Sequence, residues 1–298
     1  MTTSTFALTG QAPPEAAAGM GDAIRTGAIR PWFQPIVCIS RGEVVGYEAL
    51  ARWHREDGTV MPAAAFLPTA EAAGLVDALG MTILDQACAF LQRRRGEAMG
   101  HELMVGVNVS ATQLDDRRLV DRVDSVLARY AIPRSAVCLE VTESALVPGD
   151  LTAVARLHVL KRLGISLALD DFGSTHASLS YLTQAPIDLL KLGPVFLADL
   201  RDDPRRMVIA RSVIAMAREL GIAVLAEGIE TAEDRDLLSA LGCELAQGYL
   251  WSPPVPAEEA RSLPCVGALA GFVGDTPCPR RCAAALIHLG ARTRGFCP

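Results

Sequence analysis

Six short apolar runs, each closed by a carboxylate, an amide or an amine, constrain this chain more than any other feature. They are VVGYEALARW with Glu48, LMVGVNVS with Asn108, AVCLEVTES with Glu140, SLALDDFG with Asp170 and Asp171, DLLKLG with Lys191, and AVLAEGIE with Glu227. Runs of strand length that are apolar on both faces and separated by helix-length segments predict a parallel βα sheet. Adding PWFQPIVCIS and the run Leu245–Trp251 brings the count to eight strands, the number that closes a TIM-like (β/α)8 barrel of the α/β class. The strand C-termini of such a barrel share one mouth, and chemistry sits there. Polar ends far apart in sequence then converge on one pocket rich in negative charge. Like charges in a cleft repel and lose hydration, so the cluster needs a neutraliser, and the simplest is divalent metal.

The 298 residues accommodate a barrel of about 250 residues with short tails. Half of them are apolar and the mean hydropathy is +0.27, which excludes global disorder. A net charge of -6, from 28 basic and 34 acidic residues, argues against DNA or RNA as a partner. A small phosphate ligand stays open, because bound cations reverse the local charge. No apolar stretch approaches the roughly 20 residues that span a bilayer, so no membrane insertion is expected. The N-terminus lacks the basic start and apolar core of a signal peptide, and the expected location is the cytoplasm. Cys38, Cys88, Cys138 and Cys243 fall inside apolar elements and read as small hydrophobes. Cys265, Cys278, Cys282 and Cys297 have no recognised zinc spacing.

Residues 1–20 are rich in Ala, Pro, Gly and Thr and are expected to form a disordered tail. The barrel is assigned to residues 21–262, and residues 263–298 form an appendage without an assigned role. Helices are predicted over Pro14–Thr26, Ala63–Ala73, Val76–Arg95, Asp116–Tyr130, Asp150–Leu163, Leu179–Thr183, Pro204–Leu220 and Ala232–Leu241. Arg41-Gly42 marks a hairpin turn between the first two strands. The helix at Asp150 is entered through Pro148-Gly149.

Alternation along each strand decides which side chains reach the lumen. Glu48, Leu50 and Arg52 share a face, as do Asn108 with Ser110, Glu140 with Thr142, and Lys191 with Gly193. Asp170 and Asp171 sit where a strand breaks at Phe172-Gly173, so both can turn toward one site. Oxygen-only ligands suit Mg²⁺ or Mn²⁺ rather than zinc. Five or six of them with an adjacent acidic pair exceed what one magnesium recruits. Two ions about 3.5–4 Å apart are indicated, the clamp used in phosphoester hydrolysis. Lys191 would orient the attacking hydroxide or neutralise the charge that develops on phosphorus, and Arg52 suits bidentate phosphate recognition. Blander accounts exist for each residue. Glu48 is then a solvated edge charge, Asp170 an N-cap, Lys191 a partner of Asp188, Glu230 a cap for the helix near Thr231, His176 a plain loop residue, and Asn108 with Ser110 an empty glycosylation sequon. Each holds alone; six together at consecutive strand ends do not.

These residues resemble the EAL-domain phosphodiesterases, which hydrolyse cyclic di-GMP to linear pGpG. The signature triplet is Glu48-Ala49-Leu50, extended to Arg52. The likeness continues through Gln34-Pro35-Ile36, Asn108-Val109-Ser110, Glu140-Val141-Thr142-Glu143, Asp170-Asp171-Phe172-Gly173, Lys191, Glu227-Gly228-Ile229-Glu230-Thr231 and Gln247-Gly248-Tyr249, over roughly residues 25 to 260. The resemblance implies that Glu48, Asn108, Glu140, Asp170, Asp171 and Glu227 hold two Mg²⁺ or Mn²⁺ ions. It makes Lys191, Glu227 and Glu143 the catalytic set, with Lys191 on the nucleophilic water and Glu143 anchoring the loop after Asp171. It places Gln34, Leu50, Arg52 and Gln247 along the nucleotide groove. Calcium is expected to inhibit, because its looser coordination misplaces the water. Homodimers are common in the family.

Two departures stand out. The family usually has Thr-Gly-Tyr-Ser-Ser after Asp171-Phe172-Gly173, where this chain has Ser174-Thr175-His176-Ala177-Ser178. That removes a glycine with easy access to positive φ from a loop tied to both metal site and dimer contact. The family also usually has Asp two residues after the lysine, and here Gly193 stands there. Neither change deletes an expected metal ligand, so activity is expected, in reduced form. The competing reading is a catalytically silent EAL module acting as a cyclic di-GMP receptor or through protein contacts. Degenerate members usually lose the triplet Glu or the acidic pair, and this chain keeps both.

Overall fold

The structure, a computed structural model, describes residues 14–97, 103–146, 151–173 and 180–263. Of the tail expected over residues 1–20, the first thirteen lie outside them, as do the Pro148-Gly149-Asp150 entry, the Ser174–Ser178 loop and the cysteine-bearing stretch from Pro264 onward, whereas residues 14–20 are helical. Helix α1 (Pro14–Thr26) leads into β1 (Ile29–Cys38), which turns back through Gly42, at φ 63°, into β2 (Glu43–His54). A short β3 (Val60–Pro62) and helices α2 (Ala63–Ala72) and α3 (Val76–Glu97) follow. Then come β4 (Met104–Asn108), α4 (Ala111–Asp115), α5 (Leu119–Leu127), β5 (Val137–Thr142), α6 (Leu151–Arg162), β6 (Ser166–Phe172) and α7 (Ser180–Gln184). The described chain continues with β7 (Leu189–Leu192), α8 (Pro194–Leu197), α9 (Pro204–Glu219), β8 (Ala223–Ala226), α10 (Ala232–Leu241), β9 (Leu245–Ala246) and α11 (Ala257–Ser262).

The strands run in the order β1-β9-β8-β7-β6-β5-β4-β2, and β1 also pairs with β2, which closes an eight-stranded TIM-like barrel. Strands β7 and β8 are buried at every position, as a strand covered by helices outside and side chains inside must be. The barrel departs from an all-parallel pattern at β1, which runs antiparallel to both β2 and β9. The cause is local: a tight turn through Gly42 joins β1 to β2, whereas a parallel pair needs a crossover of a dozen or more residues. Strand β3, unanticipated in the sequence, adds antiparallel to the end of β2.

The lumen is divided by height. Its floor is apolar, filled by Ile36, Cys38, Met104, Cys138, Leu189 and Leu225 among others, all buried. Two of the cysteines read as hydrophobes belong to this floor, and Cys88 and Cys243 are buried in the surrounding core. Above the floor the lumen turns polar, so the mouth alone is free for chemistry.

Some boundaries moved for identifiable reasons. The helix expected over Asp116–Tyr130 is α4 followed by α5. Ser110 makes a reciprocal capping box with Gln113, which starts α4 five residues before Asp116 and leaves Asp116 extended. The last strand stops at Ala246, and just beyond it Gly248 passes so close to the Ile229 backbone that a Cβ there would stand 2.1 Å from its carbonyl oxygen. Among the described residues, no helix is long and apolar enough to cross a membrane.

Candidate functional site

Parallel strands deliver their C-terminal residues to the mouth in a staggered ring. Glu48 pairs with Gly106, Asn108 with Glu140, and Thr142 with Asp170, so each strand in turn presents a polar side chain. The fit is close at Gly106, where any Cβ would stand 2.0 Å from the Glu140 carboxylate. Glycine on β4 thus leaves room for the Glu140 side chain in the position it takes. On β6 the register to β7 shifts between Leu169 and Phe172, and Asp171 takes φ 54°, a left-handed conformation seldom adopted by residues other than glycine. That kink brings two consecutive carboxylates to one side, which straight alternation would forbid.

Lys191 lies at the centre and is buried to 1% exposure. Its Nζ donates to Glu140 Oε2 at 2.8 Å and lies 3.0 Å from Glu227 Oε1, 3.1 Å from Asp170 Oδ1 and 3.4 Å from Glu48 Oε2. Two amides steady Glu48: Gln247 Nε2 donates to Oε2 at 2.5 Å, and Asn108 Nδ2 donates to Oε1 at 3.2 Å. Gln247 Nε2 also reaches Glu227 Oε1 at 3.4 Å.

One ammonium cannot balance this many carboxylates, and the proton affinities record it. Burial pushes Glu140 well above the usual carboxylate range, even against the pull of Lys191. Burial likewise pushes Glu227 up to about 7, and raises Asp170 with help from Glu48 and Asp171. At Glu48 burial also acts upward, yet Lys191 and the two amide donors outweigh it and hold the carboxyl low. Burial alone would lower the Lys191 ammonium, but the surrounding carboxylates drive it well up. The pocket carries an excess of buried negative charge that either protons or a metal cation could offset.

Two triplets, Glu48–Glu140–Asp170 and Asp170–Asp171–Glu227, each offer ligand atoms within 4.8 Å of one another, and Asp170 belongs to both. Glu140 Oε1 is buried without a hydrogen-bond partner, a costly state for a carboxylate oxygen unless a cation meets it. The donor set is all oxygen, the ligand type that hard divalent cations take.

A polar stripe climbs outward from this centre along the β1–β2 hairpin. Gln34 stands opposite Glu48, Trp32 opposite Leu50, and Arg30 opposite Arg52. Buried Gln34 donates to the Ser252 carbonyl at 3.3 Å. Leu50 and Arg52 are half-buried beyond it, and burial lowers the Arg52 guanidinium from its ordinary value.

The structure thus gathers Glu48, Asn108, Glu140, Asp170, Asp171, Lys191, Glu227 and Gln247 in one place. Gln34, Leu50 and Arg52 lie on the adjoining stripe. Glu143 is buried in the single 3-10 turn Glu143–Ala145 after β5 and belongs to neither triplet. Asp188, weighed as a partner for Lys191, pairs instead with Lys161 at the opposite end of the barrel. Arg30 and Trp32 share this stripe with Gln34, Leu50 and Arg52 and went unread in the sequence. Strand parity would have found both, had the antiparallel register of β1 on β2 been followed beyond Gln34.

The sequence profile of the EAL domain family matches residues 20–254. The cyclic di-GMP phosphodiesterase RocR of Pseudomonas aeruginosa is 34% identical over 232 residues, which cover 78% of this chain and 59% of RocR. The cyclic di-GMP phosphodiesterase NbdA of the same organism is 39% identical over 235 residues, covering 78% of this chain and 30% of NbdA. The chain therefore spans roughly a third to three fifths of the length of these curated relatives. Among solved structures, the PaMucR phosphodiesterase in complex with c-di-GMP superposes with a TM-score of 0.76 at 33% identity, over 83% of this chain and 99% of that one.

Proposed function

The chain belongs to the EAL domain family, and from that premise we propose that it is a metal-dependent phosphodiesterase. Its substrate is cyclic di-GMP, in which it opens one phosphodiester bond to give linear pGpG. The observation that carries this reading is the pair of carboxylate triplets sharing Asp170 around buried Lys191. Glu48, Asn108, Glu140, Asp170, Asp171 and Glu227 would hold two Mg²⁺ or Mn²⁺ ions. When bound, the cations would neutralise charge developing on the phosphoryl group and lower the pKa of the attacking water.

The protein's own side chains have distinct tasks. Lys191, held charged by its neighbours, fixes the attacking water and donates a hydrogen bond to the developing negative charge. Gln247 and Asn108 hold the Glu48 carboxylate in one orientation, as second-layer donors do in other metal sites. Arg52 clamps phosphate, while Gln34 and Leu50 line the groove beside it. Glu143, buried in the turn after β5, serves as a positioning residue. The unit over residues 21–262 is the catalytic module, and a cytoplasmic location goes with a cytoplasmic second messenger.

The retained ligand set favours turnover over a silent receptor, since each carboxylate of both triplets is present. Incubation of the full chain with cyclic di-GMP and Mn²⁺, followed by chromatography for pGpG, tests the proposal. Product formation that stops on chelation is expected. Binding without any product would replace the enzyme by the receptor.

A further inference from the structure

The stripe beyond the metal ligands has a composition the hydrolytic residues do not explain. Arg30 and Arg52 face each other directly across the β1–β2 ladder, and like charges in that relation weaken a sheet. Among the described residues, no carboxylate lies within ion-pair distance of either. Arg30 and Arg52 touch His54, the Ala51 carbonyl and the Trp32 ring, whose centroid lies 5.8 Å from the Arg52 guanidinium carbon, and Arg52 also feels Tyr249 and Glu48 electrostatically. His54 stands between two donors, with Trp32 Nε1 at 3.2 Å from Nε2 and an Arg30 nitrogen at 3.3 Å from Nδ1. A neutral imidazole has a single acceptor nitrogen, so His54 satisfies one donor and leaves the other free for a ligand. Burial and Arg30 both act against charging the ring.

We infer that Arg30 and Trp32, together with Arg52, form the seat for the half of a cyclic dinucleotide that does not react. This rests on the substrate reading above. Two residues along a strand rise about 6.8 Å, so the Trp32–Leu50 rung lies about 7 Å and the Arg30–Arg52 rung about 14 Å beyond the Gln34–Glu48 rung. With one phosphate at the carboxylate cluster, the rest of the molecule lies over these two rungs. The half-buried indole of Trp32, with the Arg52 guanidinium lying over its ring, offers an aromatic and cationic surface on which a guanine can stack. The two guanidinium groups meet the second phosphate, which cancels the repulsion between them.

The test uses the full chain: titration with cyclic di-GMP in Ca²⁺, and steady-state kinetics in Mn²⁺. Trp32→Ala and Arg30→Ala should each weaken binding about 10- to 100-fold. The loss should fall on KM and leave Mn²⁺ affinity unchanged, and Trp32→Phe should restore most of it. The unaltered protein should show ligand-induced quenching of tryptophan fluorescence that disappears in Trp32→Phe, which retains Trp53 and Trp251. Arg55→Ala, whose guanidinium lies 4.9 Å from the Trp53 ring, should bind as the unaltered protein does. Equal binding by Trp32→Ala, or an equal loss in Arg55→Ala, overturns the seat while the substrate reading stands. Failure of the unaltered protein to bind overturns both.

Discussion

Asp188 and Lys191 stand at the two ends of β7, and the environments they meet differ in one respect. At the floor end of β7, on the outer side of the sheet, Asp188 receives Lys161 Nζ from α6 at 2.5 and 2.6 Å and the Leu167 amide at 2.9 Å. One cation meets one anion, and both carboxylate oxygens are used. At the mouth, Lys191 meets Glu48, Glu140, Asp170 and Glu227 within 3.4 Å, with Asp171 adjoining. Both ends are buried, so each pays desolvation. Only the floor recovers it from within the chain. A balanced buried pair is a structural device, whereas a buried excess of one sign is a site waiting for a partner.

The contrast breaks first under substitution at the mouth. Glu48→Ala removes a member of the first triplet and the acceptor of both amides. Hydrolysis of cyclic di-GMP should fall by about a thousandfold or more, far beyond any loss of folded protein. Full turnover in that variant would remove Glu48 from the metal assignment. At the floor the order inverts. Asp188→Ala leaves Lys161 without its anion and the Leu167 amide without its acceptor, and should lower stability by about 3 kcal/mol. Turnover per folded molecule should stay within a few-fold of the original; a loss like that of Glu48→Ala would join the two ends functionally.

A cation bound at the mouth would compete there with protons, which gives a third test. Burial holds Glu227 at about 7, above the ordinary 4.5. In the metal-free folded protein Glu227 therefore keeps a proton that the unfolded chain has released. Its contribution to stability is complete below about 4.5 and is lost as pH rises through about 7. Metal-free protein should become less stable across that window. Mn²⁺ takes the place of the proton, adding about 2.7 kcal/mol at a hundredfold excess over its Kd. The gap in melting temperature between metal-loaded and chelated protein should widen with pH. A gap independent of pH would mean that the metal binds away from Glu227.

The same contrast explains what the sequence makes legible. Apolar runs and their spacing mark the barrel, because strands buried on both faces have no other composition open to them. The mouth is legible because polar residues at strand ends have no packing reason to be there. Parity fails where the backbone departs from a regular strand. Nothing in the letters Asp170-Asp171 announces the left-handed φ of Asp171, and nothing marks Gly106 as the space beside Glu140. The direction of β1 follows from the short turn at Gly42, yet its pairing with β9 depends on barrel closure, a property of the whole chain.

Gly193 supplies the finest test, with the smallest expected effect. It has φ -67° and ψ 165°, open to any residue, and it caps the N-terminus of α8. A Cβ there would stand 3.3 Å from Asp171 Oδ1, a tight contact that a small side-chain shift relieves. Gly193→Asp would therefore place a carboxylate beside the second triplet and add to the excess at the mouth. In metal-free protein the new charge repels Asp171, while aspartate at the N-cap offsets a few tenths of a kcal/mol of that cost. With Mn²⁺ present the sign reverses, since an added anion beside the triplet attracts the cation. Metal-free stability should change by less than about 1 kcal/mol. Mn²⁺ affinity should rise a few-fold, and turnover should hold or increase. A sharp fall in turnover with the fold intact would show that substrate occupies the space beside Asp171, and that the excess charge at the mouth is already complete without a further carboxylate.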